Sequence, residues 1–182
     1  MKLKQTASQT VGPYFAYGLT PQQYGYDFRS IFSNRIDGDG ERIALSGRVF
    51  DGNGEAVNDA MIEIWQADAR GQYQGNGFAR FGTGTDSQCR FHFDTIRPGS
   101  IDNEQAPHIC VLVFMRGLLL HNYTRIYFSD EAAANERDPV LNSVPAERRG
   151  TLIAERSDTP DGPAYRFDIH MQGERETVFF DV

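Results

Sequence analysis

Lysine is nearly missing from this chain: the basic residues are 16 arginines and two lysines, Lys2 and Lys4. Cysteine occurs twice, as Cys89 and Cys110, and tryptophan once, as Trp65. Both cysteines stand in apolar alternating runs, which predicts reduced thiols and not a disulfide, as in a cytoplasmic protein. No apolar run approaches the ~20 residues of a membrane span, the longest being strand-sized, residues 109–115. The N-terminal positive charge has no apolar stretch behind it, so a signal peptide is not expected. A net charge of −7 argues against a nucleic-acid partner, because phosphate binding leans on a basic face. Arginine suits bidentate pairing with carboxylates, but a GC-rich genome explains the bias equally well.

What is present suits one globular domain: 182 residues, 40% hydrophobic and 12% aromatic. Residues 1–40 read as an irregular arm holding Tyr14, Phe15, Tyr17, Tyr24, Tyr26, Phe28 and Phe32, with room for a short helix within residues 21–33. Burying one such ring is worth roughly 1.5–3 kcal/mol, so the arm should lie on its own domain or on a partner subunit.

Residues 41–182 read as β structure. Ile43, Leu45, Gly47 and Val49 alternate, Asp51-Gly52-Asn53-Gly54 has turn chemistry, and residues 60–65 run back. Cys89, Phe91 and Phe93 alternate with Arg90, His92 and Asp94, and residues 109–115, apolar on both faces, predict a central strand. Further strands are expected over residues 122–128, 151–155, 164–171 and 177–180, with one helix over 130–136 whose dipole Asp130 and Glu131 would meet. Short strands without alternating helices predict an all-β fold, an antiparallel sandwich. Trp65, flanked by apolar strand positions, is expected in the core.

The chemistry-bearing element is Ala106-Pro107-His108-Ile109-Cys110. Strand alternation points His108 and Cys110 the same way, a spacing at which two ligands can grip one metal ion. With it, in order, stand Gln9-Thr10-Val11-Gly12-Pro13-Tyr14, Trp65-Gln66-Ala67-Asp68, Gly71-Gln72-Tyr73, Arg97-Pro98-Gly99, Thr124-Arg125-Ile126-Tyr127-Phe128 and the tail 173–182. This ordered set, covering nearly the whole chain, resembles the protocatechuate 3,4-dioxygenase family of intradiol ring-cleaving dioxygenases, whose members are built from homologous α and β subunits.

The resemblance implies a ferric ion held in the β subunit by two tyrosines and two histidines. Tyr73 and His108 match two of those positions; Ile101 and Cys110 stand at the others. Ile101 cannot ligate, and a thiolate is a soft donor for a hard ion. Tyr73, Ile101, His108 and Cys110 therefore look like vestigial positions, with His108 bonded to a nearby backbone or phenol group. The resemblance implies the non-iron α subunit: no catalytic residue and no cofactor of its own, ferric iron in the partner β subunit, and protocatechuate and O2 as the small molecules of the complex. The holoenzyme would give 3-carboxy-cis,cis-muconate in the β-ketoadipate pathway. Positions matching the family's substrate contacts are Thr10, Gly12, Pro13 and Arg125; Gly12 permits close backbone approach to a flat ring, and Arg125 supplies charge for a carboxylate. Two other readings stay open: a homomeric dioxygenase with a rearranged iron site, and a non-enzymatic transthyretin-like binding module.

Overall fold

In the computed structural model, the described residues are Gly12 and 17–182; Thr10 and Pro13 lie outside them, as do Tyr14 and Phe15 of the arm. Nine strands follow in chain order: β1 (Arg42–Phe50), β2 (Met61–Gln66), β3 (Phe78–Gly82), β4 (Arg90–Ile96), β5 (His108–Phe114), β6 (Asn122–Phe128), β7 (Ile153–Thr159), β8 (Gly162–Arg166) and β9 (Ile169–His170). Hydrogen bonding orders them β3-β2-β5-β6-β7-β8-β1-β4, with β9 beside β1.

β7 joins the two layers of a sandwich: its start pairs with Tyr127 and Phe128 of β6, and the rest runs antiparallel to β8. Ile62, Ile64, Ile109, Val111, Val113, Ile126 and Phe128 from one layer meet Ile43, Leu45, Phe91, Phe93 and Tyr165 from the other, all buried. The strand burial alternates as the hydrophobic pattern predicts, and β5 is central, between β2 and β6. Most pairings are antiparallel as expected, whereas β1 with β8, β1 with β9 and β6 with β7 are parallel. Parallel pairs need long crossovers, and residues 129–152 provide the one between β6 and β7.

That crossover carries the short helices α1 (Ala132–Asn135) and α2 (Pro139–Ser143). The expected helix over 130–136 is thus shorter, and α2 adds a second, capped by the Asp138 side chain accepting from Leu141 N. Asp130 and Glu131 do not serve a helix dipole. They pair instead with Arg97, at 2.8 Å each, and the Arg97 guanidinium lies over the Phe128 and Tyr165 rings. This network anchors Arg97-Pro98-Gly99 as the chain leaves β4.

The end of the arm belongs to the sandwich. Ser33 O accepts from Arg80 N, Asn34 O from Asp94 N, and Ile36 N donates to Asp94 O, so residues 33–36 bridge the edges of β3 and β4 and bury Ile36. Before this, Pro21–Tyr24 form a 3-10 turn, and Tyr17 packs on Tyr24 and Tyr26 with centroids 4.6 and 5.4 Å away. The predicted strand over 177–180 is a single bridge, Phe180 to Tyr123, which covers the part of β6 that β7 does not reach. Cys89 sits in the turn before β4 at φ +56°, and both cysteines are free thiols. Among the described residues no helix is long and apolar enough to cross a membrane.

Candidate functional site

Strand register assembles the site. Phe78, Trp65, Cys110 and Arg125 are successive cross-strand partners on β3, β2, β5 and β6 and so share the outer face of the sheet. Arg80, Glu63, Leu112 and Tyr123 form the neighbouring row, and His108 opposite Tyr127 the row on the other side.

Trp65 corrects an expectation. It is not core: 41% of it is exposed, and its ring stacks on Tyr73 at 5.9 Å and 6°. The physical reason is parity. Ile62 and Ile64 fill the inward positions of β2, leaving Glu63 and Trp65 outward.

The loop with Tyr73 rests on the one that follows Arg97. Gly71 has φ +76°, and a Cβ there would land on the Ser100 carbonyl, so this approach requires glycine. Tyr73 thereby reaches the face of β5, its phenol oxygen 3.9 Å from Cys110 Sγ. Burial, and then the Cys110 thiol, push its phenol well above the ordinary range. Ile101 begins a tight turn in which its N–H donates to Gln105 O at 3.1 Å and Asp102 and Asn103 hold φ of 53° and 55°.

His108 is 2% exposed, with Nδ1 2.8 Å from Ala106 O. The carbonyl can only accept, so Nδ1 carries the proton, and the backbone partner expected from the sequence is present. Burial lowers its pKa. Beside it, Tyr127 donates to Asp138 Oδ1 at 3.1 Å, and the fully buried Asp138 also accepts from Ala106 N and Leu141 N, each at 2.8 Å.

Tyr123 donates to Cys110 Sγ at 3.2 Å, and Arg125 donates through Nε to the Tyr123 oxygen at 3.2 Å and through Nη1 to Gln105 Oε1 at 2.9 Å. Burial disfavours the Arg125 charge, but hydrogen bonds with Tyr123 and Tyr127 outweigh it and hold its pKa above the usual guanidinium value. Tyr123 and Gln105 are the members of this group that sequence reasoning missed as site residues. Tyr123 shares parity with Arg125, a signal that was present; the partnership of Gln105 depends on how the turn folds back.

A ferric ion does not fit this donor set. Ile101 offers no donor atom, the Cys110 sulfur already accepts a phenol proton, and a guanidinium stands across the strand from it. Among the described residues no group of three or more His, Cys, Asp or Glu is placed to hold a metal. Gly12 lies elsewhere, lining a cavity of about 600 Å³ with Tyr17, Tyr24, Asp59, Cys89 and Arg116. Arg125 is not among the described residues of that lining, so this chain alone does not bring Gly12 and Arg125 together.

A two-layered sandwich whose outer sheet face brings the half-exposed Tyr73 phenol and the buried His108 to either side of Cys110 defines a class, and the comparisons agree with it. The dioxygenase family model matches residues 11–173, and the chain belongs to that family. Within it the chain is similar to the protocatechuate 3,4-dioxygenase alpha chain of Burkholderia cepacia, 58% identical over 99% of this chain and 98% of that one. The protocatechuate 3,4-dioxygenase beta chain of the same organism is 31% identical over 76% of this chain and 67% of its own length. Among solved structures, an intradiol ring-cleavage dioxygenase from Tetranychus urticae superposes with a TM-score of 0.65 at 16% identity, covering 92% of this chain and 94% of that one. The last similarity shows the fold alone.

Proposed function

We propose that this chain is the α subunit of a protocatechuate 3,4-dioxygenase, working beside a homologous β subunit that holds the ferric iron. Its family and its alpha-chain relatives make it an oxidoreductase chain. The observation that carries the division of labour is the donor set itself: two family ligand positions are occupied by Ile101 and Cys110, with Arg125 directly opposite the latter.

In this reading iron held by the partner would supply the activation of the catecholate toward O2, and this chain binds and orients. Arg125 holds the substrate carboxylate in a charge-assisted pair. Thr10, Gly12 and Pro13 close another side of the partner's cavity, Gly12 letting the backbone approach the ring and Pro13 stiffening the turn. The outer sheet face with Trp65 and Tyr73, and the exposed arm residues Phe28 and Ile31, support assembly with the β chain. Free thiols at Cys89 and Cys110 suit a reducing cytoplasm.

The test is Arg125→Ala in the assembled enzyme. A charged hydrogen bond to substrate of ~1.5–3 kcal/mol predicts affinity for protocatechuate weaker by about 10- to 150-fold. Unchanged KM and kcat would remove Arg125 from the pocket.

A further inference from the structure

Arg125 is a half-buried cation whose contacts are all neutral. Its Nε meets the Tyr123 phenol, its Nη1 meets the Gln105 amide, and the Tyr127 phenol also lies against it. His108, with its proton on Nδ1, faces it as a neutral ring. Among the described residues no carboxylate pairs with Arg125, whereas Arg80 on the same sheet face is matched by Glu63, and Arg97 by Asp130 and Glu131. A guanidinium has five N–H donors, of which Tyr123 and Gln105 take two and Tyr127 a third, leaving two. Among the described residues the positive charge is therefore held in place with no carboxylate in direct contact, Asp138 standing one phenol away behind Tyr127.

The holding elements come from the vestigial positions. A phenol has one proton; Tyr123 gives its own to Cys110 Sγ, which turns the oxygen lone pairs toward Arg125 Nε. Gln105 closes the turn that Ile101 opens, and from there its Oε1 reaches Arg125 Nη1. The strand position and the loop that supply metal ligands in the resemblance thus both feed one arginine here.

We propose that Cys110, Tyr123 and Gln105 are positioning residues that fix the Arg125 guanidinium, free of a direct carboxylate partner, for an aromatic carboxylate, and so set the preference for carboxylated over plain catechols. Arginine loses rotamer freedom on binding, and a fork already held on two sides loses less. The inference rests on the reading that Arg125 faces the substrate carboxylate.

The experiment uses the assembled enzyme and two substrate analogues tested as inhibitors, 4-hydroxybenzoate and phenol, which differ by the carboxylate. Tyr123→Phe and Gln105→Leu remove the two acceptors separately, from a strand and from a loop. Each should weaken inhibition by 4-hydroxybenzoate by about 3- to 10-fold, less than loss of the charged contact to the carboxylate itself. Inhibition by phenol should stay near wild type, a split that general structural damage would not give. Arg125→Ala should abolish most of the discrimination between the two inhibitors. If Arg125→Ala does so while Tyr123→Phe and Gln105→Leu leave the ratio unchanged, the positioning role is wrong and the carboxylate reading stands. If Arg125→Ala itself leaves the ratio unchanged, the carboxylate reading falls.

Discussion

Cys110 and Arg125 stand directly opposite each other on β5 and β6, and one phenol oxygen, that of Tyr123, lies 3.2 Å from the sulfur of the first and 3.2 Å from Nε of the second. The pairing makes this cluster chemically coherent as it stands. A hydrogen-bonded thiol, phenol, guanidinium and amide fill the place where the family resemblance puts an ion and its ligands.

The first prediction concerns restoring that ion. Ile101→Tyr with Cys110→His completes the donor types around Tyr73 and His108, but the Arg125 guanidinium repels a cation placed beside it. The double variant should gain little iron, and adding Arg125→Gln should raise bound iron and bring the visible absorption of tyrosinate bound to ferric iron. Metal analysis and an absorption spectrum of the two purified variants check this; equal iron with and without Arg125 would contradict it.

A second concerns Asp138. Asp138→Ala leaves the Tyr127 hydroxyl, Ala106 N and Leu141 N without their acceptor. At roughly 1–3 kcal/mol for each buried group left unpaired, a loss of about 3 kcal/mol or more is expected. Asp138→Asn keeps one carbonyl oxygen and should lose less. Thermal or urea unfolding of the assembled protein measures both.

His108 gives the third. Its folded pKa is depressed by burial, so the unfolded chain binds a proton first, near pH 6.5, while the folded chain stays neutral. Stability should therefore hold above about pH 6.5 and fall as pH drops below it. His170, also lowered, acts with the same sign. Unfolding free energies between pH 5 and 8 should show a shallower decline for His108→Gln than for wild type.

The fourth concerns assembly. Ile31 is 88% exposed and Phe28 50%, a state that serves an apolar arm only if a partner covers it. Ile31→Asp should leave the melting temperature of this chain near wild type yet weaken its association with the β chain, read by gel filtration of the mixture. Undiminished association would place the interface elsewhere.

Much of this was legible in the sequence, because the sandwich strands alternate clearly and the motifs around Tyr73, His108 and Arg125 are local. What was not legible depends on parity and on packing between distant segments. Trp65 looked like core by its apolar neighbours, while its parity with Glu63 placed it outside. β3 went unseen because Phe78–Gly82 lies among glycines, with Gly75 and Gly77 just before it and Gly84 just after. Asp130 and Glu131 looked like helix-start charges until Arg97, more than thirty positions earlier, arrived between them. The roles of Tyr123 and Gln105 exist only once β5 and β6 are in register and the 101–105 turn is folded.

The most direct measurement of the central claim is to purify this chain alone, then combined with a homologous chain carrying both tyrosines and the His-x-His strand, and to assay iron content and protocatechuate cleavage in each. The account predicts a colourless, inactive chain alone, and in the complex one iron per pair with full activity that depends on Arg125. Iron and ring-cleaving activity in the isolated chain would contradict it.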